Sequence, residues 1–179
     1  MEPSGSLIYA LSFLAVVIAF AFACYLYLWV KRQPVENGTI REVSALIKSG
    51  ANTFMRKEYR ILAIFAGVAA LLIFLFLPQG IWQGQWQENV GMTLAYIGGT
   101  VLSAIAGKIG ILVATASNGR AAEAAQKGIK PAFMVGFRGG AVMGLAVVGF
   151  SLLGVAAVLL LIGDSSIVLG FSFGASSLA

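Results

Sequence analysis

The sequence predicts an all-α protein, a multi-spanning transmembrane helix bundle of four complete spans plus the start of a fifth, with its amino terminus outside. Three observations carry this expectation. Of the 179 residues, 59% are hydrophobic and only 11% are charged, whereas about a quarter of a soluble domain is charged. The apolar residues gather into runs at Leu7–Val30, Ile61–Leu77, Val90–Ala116 and Gly139–Ile162, followed by an unfinished run over Ser166–Ala179. About 20 residues of helix cross a hydrocarbon core, with about 17 as a lower limit. Finally, every lysine and arginine but Lys108 lies between the first and second runs or between the third and fourth. Basic connectors stay on the cytoplasmic side, so the tail and the segment Pro78–Asn89, which lacks any basic residue, are expected outside.

The first run follows a tail with no positive charge and is longer than the apolar core of about 7–15 residues typical of a cleavable signal. A retained span over 7–30 is therefore expected. After it come Lys31, Arg32, Arg41, Lys48, Arg56, Lys57 and Arg60. Within this stretch Gln33–Gly38 reads as a turn around Pro34, and Thr39 with Glu42 has the capping-box spacing that satisfies free amides at a helix start. Ile40, Val43, Ile47, Ala51 and Phe54 then recur at steps of three and four. A cytoplasmic amphipathic segment over about 40–58 is expected to run into the second span, 61–77, as one long helix with a bend at Gly50. Such a face suits either the membrane surface or a larger cytoplasmic assembly.

The third and fourth spans, 90–116 and 139–162, carry small residues every fourth position: Ala95, Gly99, Ser103 and Gly107 in one, Gly136, Gly140 and Gly144 in the other. Gly170 and Gly174 begin a third such stripe. Small residues at this spacing let helix backbones approach closely in lipid, so tight packing is expected along all three. A phosphate-binding loop at Gly107-Lys108 fails on spacing, because Leu102 stands at the first glycine position and Ile109 at the hydroxyl position. Lys108 is expected to snorkel to the cytoplasmic surface. Between the third and fourth runs lie Arg120, Lys127, Lys130 and Arg138. The run 166–179 would reach only about 21 Å as a helix, short of about 30 Å. It reads as an interrupted span, with a re-entrant segment tolerated by Ser172, Ser176 and Ser177 as the alternative.

The chemistry visible in the chain is sparse. There is no histidine, and the one cysteine, Cys24, sits within the first run, so zinc sites, catalytic dyads and disulfides are not expected. The acids Glu2, Glu36, Glu42, Glu58, Glu88, Glu123 and Asp164 all fall in tails, connectors or span edges. No carboxylate is placed to carry a proton across the membrane. The net charge of +5 is explained by basic residues flanking the spans, where anionic lipid attracts them, and nucleic acid is not expected as a partner.

Three blocks carry a family resemblance. They are Ile40–Phe54; Ser103–Gly110 continuing to Ala114, Thr115, Asn118, Arg120 and Ala122–Ala125; and Phe137–Gly144. In order and spacing they resemble the amino-terminal quarter of the membrane-integral, ion-pumping pyrophosphatases, and Gly170–Ser177 resembles the start of that family's fifth helix. The resemblance covers nearly the whole chain. It implies a multi-pass protein of the cell (inner) membrane, an outer-ring position for the first four helices, and a homodimer that hydrolyses magnesium pyrophosphate while moving protons or sodium ions outward. The family's catalytic arginine, glycine triplet, lysine and aspartate-rich segments follow the point where this sequence stops. No catalytic, cofactor-binding or metal-binding residue, for Mg2+ or otherwise, is thus expected here, and the chain alone is expected to be inactive. Lys108 departs from the apolar residue expected at its position. An amino-terminal piece of a pump, truncated before its catalytic residues, is the leading expectation. A small four-helix transporter and a noncatalytic assembly subunit are the alternatives.

Overall fold

The computed structural model of the protein describes residues 3–84 and 86–177. Glu2, Gln85 in the expected outer connector and the last two residues of the run 166–179 lie outside the described residues. The chain forms α1 (Pro3–Lys31), α2 (Gly38–Phe76), α3 (Trp86–Ala125), α4 (Ile129–Ile162) and α5 (Ser165–Ser176), with a short 3₁₀ turn at Ile81–Gln83. Among the described residues there is no strand. Helices α1 to α4 are long and apolar enough to cross a membrane.

The helices run further than the apolar runs that announce them. At 39 residues, α2 is the single helix expected from the amphipathic segment through the second run, and it passes Gly50 without interruption. Its cap differs from the expected one. Asn37, not Thr39, accepts the hydrogen bond from the Ile40 amide, at 3.2 Å, because the helix starts one residue before Thr39 and an N-cap side chain serves the amides two or three residues on. At 40 residues, α3 extends nine residues beyond Ala116. Arg120 and Glu123 therefore stand on a helix instead of in a connector, and so do Lys130 and Arg138 on α4. Hydropathy falls after Ala116, but Ala121, Ala122, Ala124 and Ala125 are the best helix formers available. Only Gln126–Gly128 separates α3 from α4, and Gly128 has φ 125°, a conformation suited to glycine. Gly163, with φ 73°, ends α4 likewise. Asp164 then caps α5 by accepting from the Ser166 amide at 2.7 Å.

Contacts divide the chain into two compact units. One comprises residues 1–17, 58–105 and 149–179. Here Ile73, Met92 and Tyr96 form a buried cluster against Ala66, Ala69 and Ala70, and Ala95, Ile167 and Phe171 form a second against Leu102, Val155 and Val158. Helices α3 and α5 meet backbone to backbone. A methyl group on Gly99 would strike the Phe171 carbonyl and come within 2.8 Å of the Ala175 nitrogen, and one on Gly174 would strike the Tyr96 carbonyl. Gly154 of α4 makes room for the Phe171 ring. Tyr59 donates to the Ala104 carbonyl at 2.7 Å, tying α2 to α3. Asn89, 1% exposed, donates from Nδ2 to the Phe74 and Gln79 carbonyls at 2.9 and 2.6 Å. It thereby satisfies carbonyls at the end of α2 and beyond it, which have no partner within the helix.

The other unit comprises residues 18–57 and 106–148. Its core is Ala23, Leu26, Val113 and Val142, with Tyr27, Ile109, Ala141 and Leu145 against them. Two further glycines set the helix spacing. A methyl group on Gly119 would overlap Ser44 Oγ, and one on Gly139 would overlap Ser117 Oγ. The stripe Gly136, Gly140 and Gly144 does not pack as expected. All three are exposed, with nothing among the described residues within 4 Å of an added methyl group. The buried face of α4 runs instead through Val135, Gly139, Val142 and Ala146.

Candidate functional site

The densest polar arrangement among the described residues surrounds the turn from α1 to α2, in the unit of residues 18–57 and 106–148. A helix ending at Lys31 leaves carbonyls without intrahelical partners and a partial negative charge at its end. Arg120 answers both. Its Nη2 donates to the Lys31 carbonyl at 3.1 Å and its Nε to the Gln33 carbonyl at 3.2 Å. Nη1 donates to Ala116 O, one turn back on α3, at 2.8 Å, which fixes the guanidinium in place. Only arginine presents such a rigid fork of donors.

Neighbouring groups close the rest of the turn. Gln33 Nε2 donates to the Trp29 carbonyl at 3.2 Å, and Arg41 Nη2 donates to the Val35 carbonyl at 3.3 Å. The Asn37 amide donates to Glu123 Oε2 at 3.1 Å, while the Asn37 side chain caps α2. Glu123 lies three residues after Arg120, so one face of α3 grips the turn with a donor and an acceptor. Arg138 of α4 completes the surround, its guanidinium 3.7 Å above the Trp29 ring centroid in a cation–π contact.

This arrangement positions backbone, and its chemistry is that of a clasp. Among the described residues no three of the metal-ligating types converge on a common point, and Glu123 is already engaged by an amide. The residues present do not fit a magnesium ion. Lys108 stands exposed on α3, well within the helix. Thr115 returns its hydroxyl to the Ile111 carbonyl at 2.8 Å, and Asn118 is exposed. Of the residues in the resembling blocks, then, the structure gathers Ser44, Arg120, Glu123, Arg138 and Gly139 at this end of the helices, with Gly119, outside those blocks, against Ser44. Asn37 and Gln33 join them without having been foreseen. Ser117 was also missed: its Oγ is buried with no hydrogen-bond partner among the described residues. The legible signal for Arg120 was the alanine-rich continuation of α3, which makes the arginine a helical residue facing a helix end.

Four long apolar helices, basic residues gathered around two of the stretches joining the apolar runs, and a clasp built from backbone carbonyls define a multi-pass membrane protein. Comparison with known families then gives a match of residues 17–179 to the inorganic H+ pyrophosphatase model. The chain belongs to that family. Over 91% of its length it is 35% identical to a K(+)-insensitive pyrophosphate-energized proton pump of Methanosarcina mazei. Over 86% it is 40% identical to a K(+)-stimulated pyrophosphate-energized sodium pump of Thermotoga maritima. A K(+)-insensitive pyrophosphate-energized proton pump of Pyrobaculum aerophilum is 37% identical over 74%. The chain spans 23%, 20% and 18% of these three relatives respectively.

Proposed function

We propose that the chain is the amino-terminal, outer helical portion of a pump that couples cytoplasmic pyrophosphate hydrolysis to outward proton or sodium transport. The carrying observation is a family match over residues 17–179 in a chain that spans about a fifth of such relatives. The segregation of basic residues supports an amino terminus outside, with the Arg120 clasp at the cytoplasmic ends of α1 to α3. In this reading the spans lie near 7–30, 61–77, 90–116 and 139–162, α5 starts the next, and residues 40–58 project along the cytoplasmic surface. The catalytic carboxylates, the magnesium ions that a phosphoryl transfer of this kind requires and the ion pathway belong to the remainder of the assembly. A homodimer rests on the resemblance alone.

The contribution of this portion is rigidity. Pyrophosphate hydrolysis drives transport only if helices keep their register while charge moves, and the clasp fixes α1 and α2 against α3 at one end. A split-protein experiment tests the reading. The Thermotoga maritima relative, lacking the region matched here, is produced alone and together with this chain in the same membranes. Pyrophosphate hydrolysis and ion uptake by vesicles are expected only from the pair. Hydrolysis by this chain alone, or a co-purifying pair without pyrophosphate-dependent activity, refutes the proposal.

A further inference from the structure

Two cavities in the unit of residues 18–57 and 106–148 adjoin at Tyr27 and Leu112, and together they outline a groove whose lining changes from apolar to cationic. The apolar cavity, about 330 Å³, is lined by Ala23, Cys24, Ile109, Val113 and Val142 together with Tyr27 and Leu112. The polar cavity, about 320 Å³, shares Tyr27 and Leu112 and is lined further by Lys31, Ser44, Lys48, Thr115 and Arg120. No carboxylate lines either one. Among the described residues, neither Lys31 nor Lys48 has an ion pair or side-chain hydrogen bond, and Arg120 uses three of its five donors.

The helical period explains the gradient. Phe20, Ala23, Cys24, Tyr27 and Lys31 follow one another at steps of one to four on one face of α1, and Ile109, Leu112, Val113, Ala116 and Arg120 do so on α3. From Phe20 to Lys31 this face measures about 16 Å, close to the roughly 15 Å of one leaflet's hydrocarbon. We infer that the groove is a binding site for one anionic phospholipid of the cytoplasmic leaflet, its phosphate among Lys31, Lys48 and Arg120 and an acyl chain beside Tyr27, Cys24 and Ile109. A free phosphate or pyrophosphate shares the headgroup chemistry but leaves the apolar half of the groove unused. The inference does not depend on the pump reading, and its test needs no turnover.

The test is a lipid titration of the purified chain in detergent, read by native mass spectrometry, with phosphatidylglycerol and phosphatidylcholine of identical acyl chains. The wild-type chain is expected to bind the anionic lipid at least about tenfold more tightly. Lys31→Gln and Lys48→Gln, both at exposed side chains, should each weaken phosphatidylglycerol about fivefold, since a basic residue near an anionic headgroup contributes on the order of 1 kcal/mol, and should leave phosphatidylcholine unchanged. Lys108→Gln, outside the groove, should change neither. Cys24→Trp should weaken both lipids by filling the apolar half, and millimolar phosphate or pyrophosphate should displace neither. The site is overturned if the two lipids bind alike, if Lys108→Gln acts as Lys31→Gln does, or if Cys24→Trp is without effect. Displacement of phosphatidylglycerol by pyrophosphate assigns the cations to a soluble anion and overturns the lipid. Circular dichroism of each variant confirms that its helices are intact.

Discussion

Replacing Arg120 by alanine removes the clasp at a single point. The bond to Ala116 O is made to a carbonyl of the same helix, so its loss costs little. The two bonds to the Lys31 and Gln33 carbonyls join α3 to the end of α1, and a hydrogen bond to a charged group contributes about 1.5–3 kcal/mol. The Lys31 bond is solvent-exposed and is weighted to the low end. A net loss of about 2–4 kcal/mol is expected, and at about 2–4 °C per kcal/mol for a chain of this size the midpoint falls by about 4–16 °C. Arg120→Lys keeps the charge but offers no fork and should recover about half of the loss. Thermal unfolding of the purified chain in detergent measures the midpoint. Hydrogen exchange supplies the local readout, because the Asn37 amide, held by Glu123, should exchange at least about tenfold faster once the turn is released. An alanine variant melting within a degree of wild type, with unchanged exchange over residues 32–37, refutes the account of Arg120 as the residue that fixes this turn.

Three further substitutions test separate parts of the structure. Gly139→Ala drives a methyl group into Ser117 Oγ and should cost about 1–3 kcal/mol. Ser117→Gly in the same chain should restore most of this, and additive losses in the double mutant would show that the two do not touch. Asn89→Asp removes both donors to the Phe74 and Gln79 carbonyls and puts a charge where the side chain is 1% exposed. A loss of about 3–5 kcal/mol is expected at neutral pH, and a wild-type melting midpoint would refute the role given to Asn89. For the orientation, single cysteines at the exposed positions Gln83 and Gln126 are placed in a Cys24→Ala background and treated with an impermeant thiol reagent on intact cells. Labelling at position 83 and none at 126 is expected, and the reverse pattern would overturn the charge argument.

Much of the helical layout was legible because it follows from rules that act locally. Apolar length announces a membrane-crossing helix, and the alternation of apolar and charged residues from Ile40 to Phe54 announces an amphipathic one. The ends were less legible. Ala121 to Ala125 sustain α3 by intrinsic propensity after hydropathy has fallen, so a boundary drawn on hydropathy put Arg120 and Glu123 in a connector and hid the clasp. Asn37 was similarly obscured by the capping-box spacing of Thr39 and Glu42. Which residue caps a helix depends on where the preceding turn delivers the chain, and Glu123 and Arg120 fix that turn from 86 or more positions away.

The glycine stripes show why spacing alone does not locate a contact. Gly99, Gly170 and Gly174 were read as points of close approach, and α3 and α5 do meet there with carbonyls against Cα positions. Gly136, Gly140 and Gly144 have the same four-residue period and meet no neighbour among the described residues. In water, hydrophobicity would choose between the faces of α4, because the apolar side must be buried. Inside lipid every face of a helix is apolar, and the contact is chosen by shape and by the few polar groups that need partners. Gly139 is the residue of α4 that meets Ser117 of α3, and Arg138 beside it lies over Trp29 of α1. The cationic anchor and the close approach are adjacent in sequence, so α4 is held by the same few residues that its resembling block contains. A period identifies which residues are small enough to permit an approach. The neighbouring helix decides which of them is used.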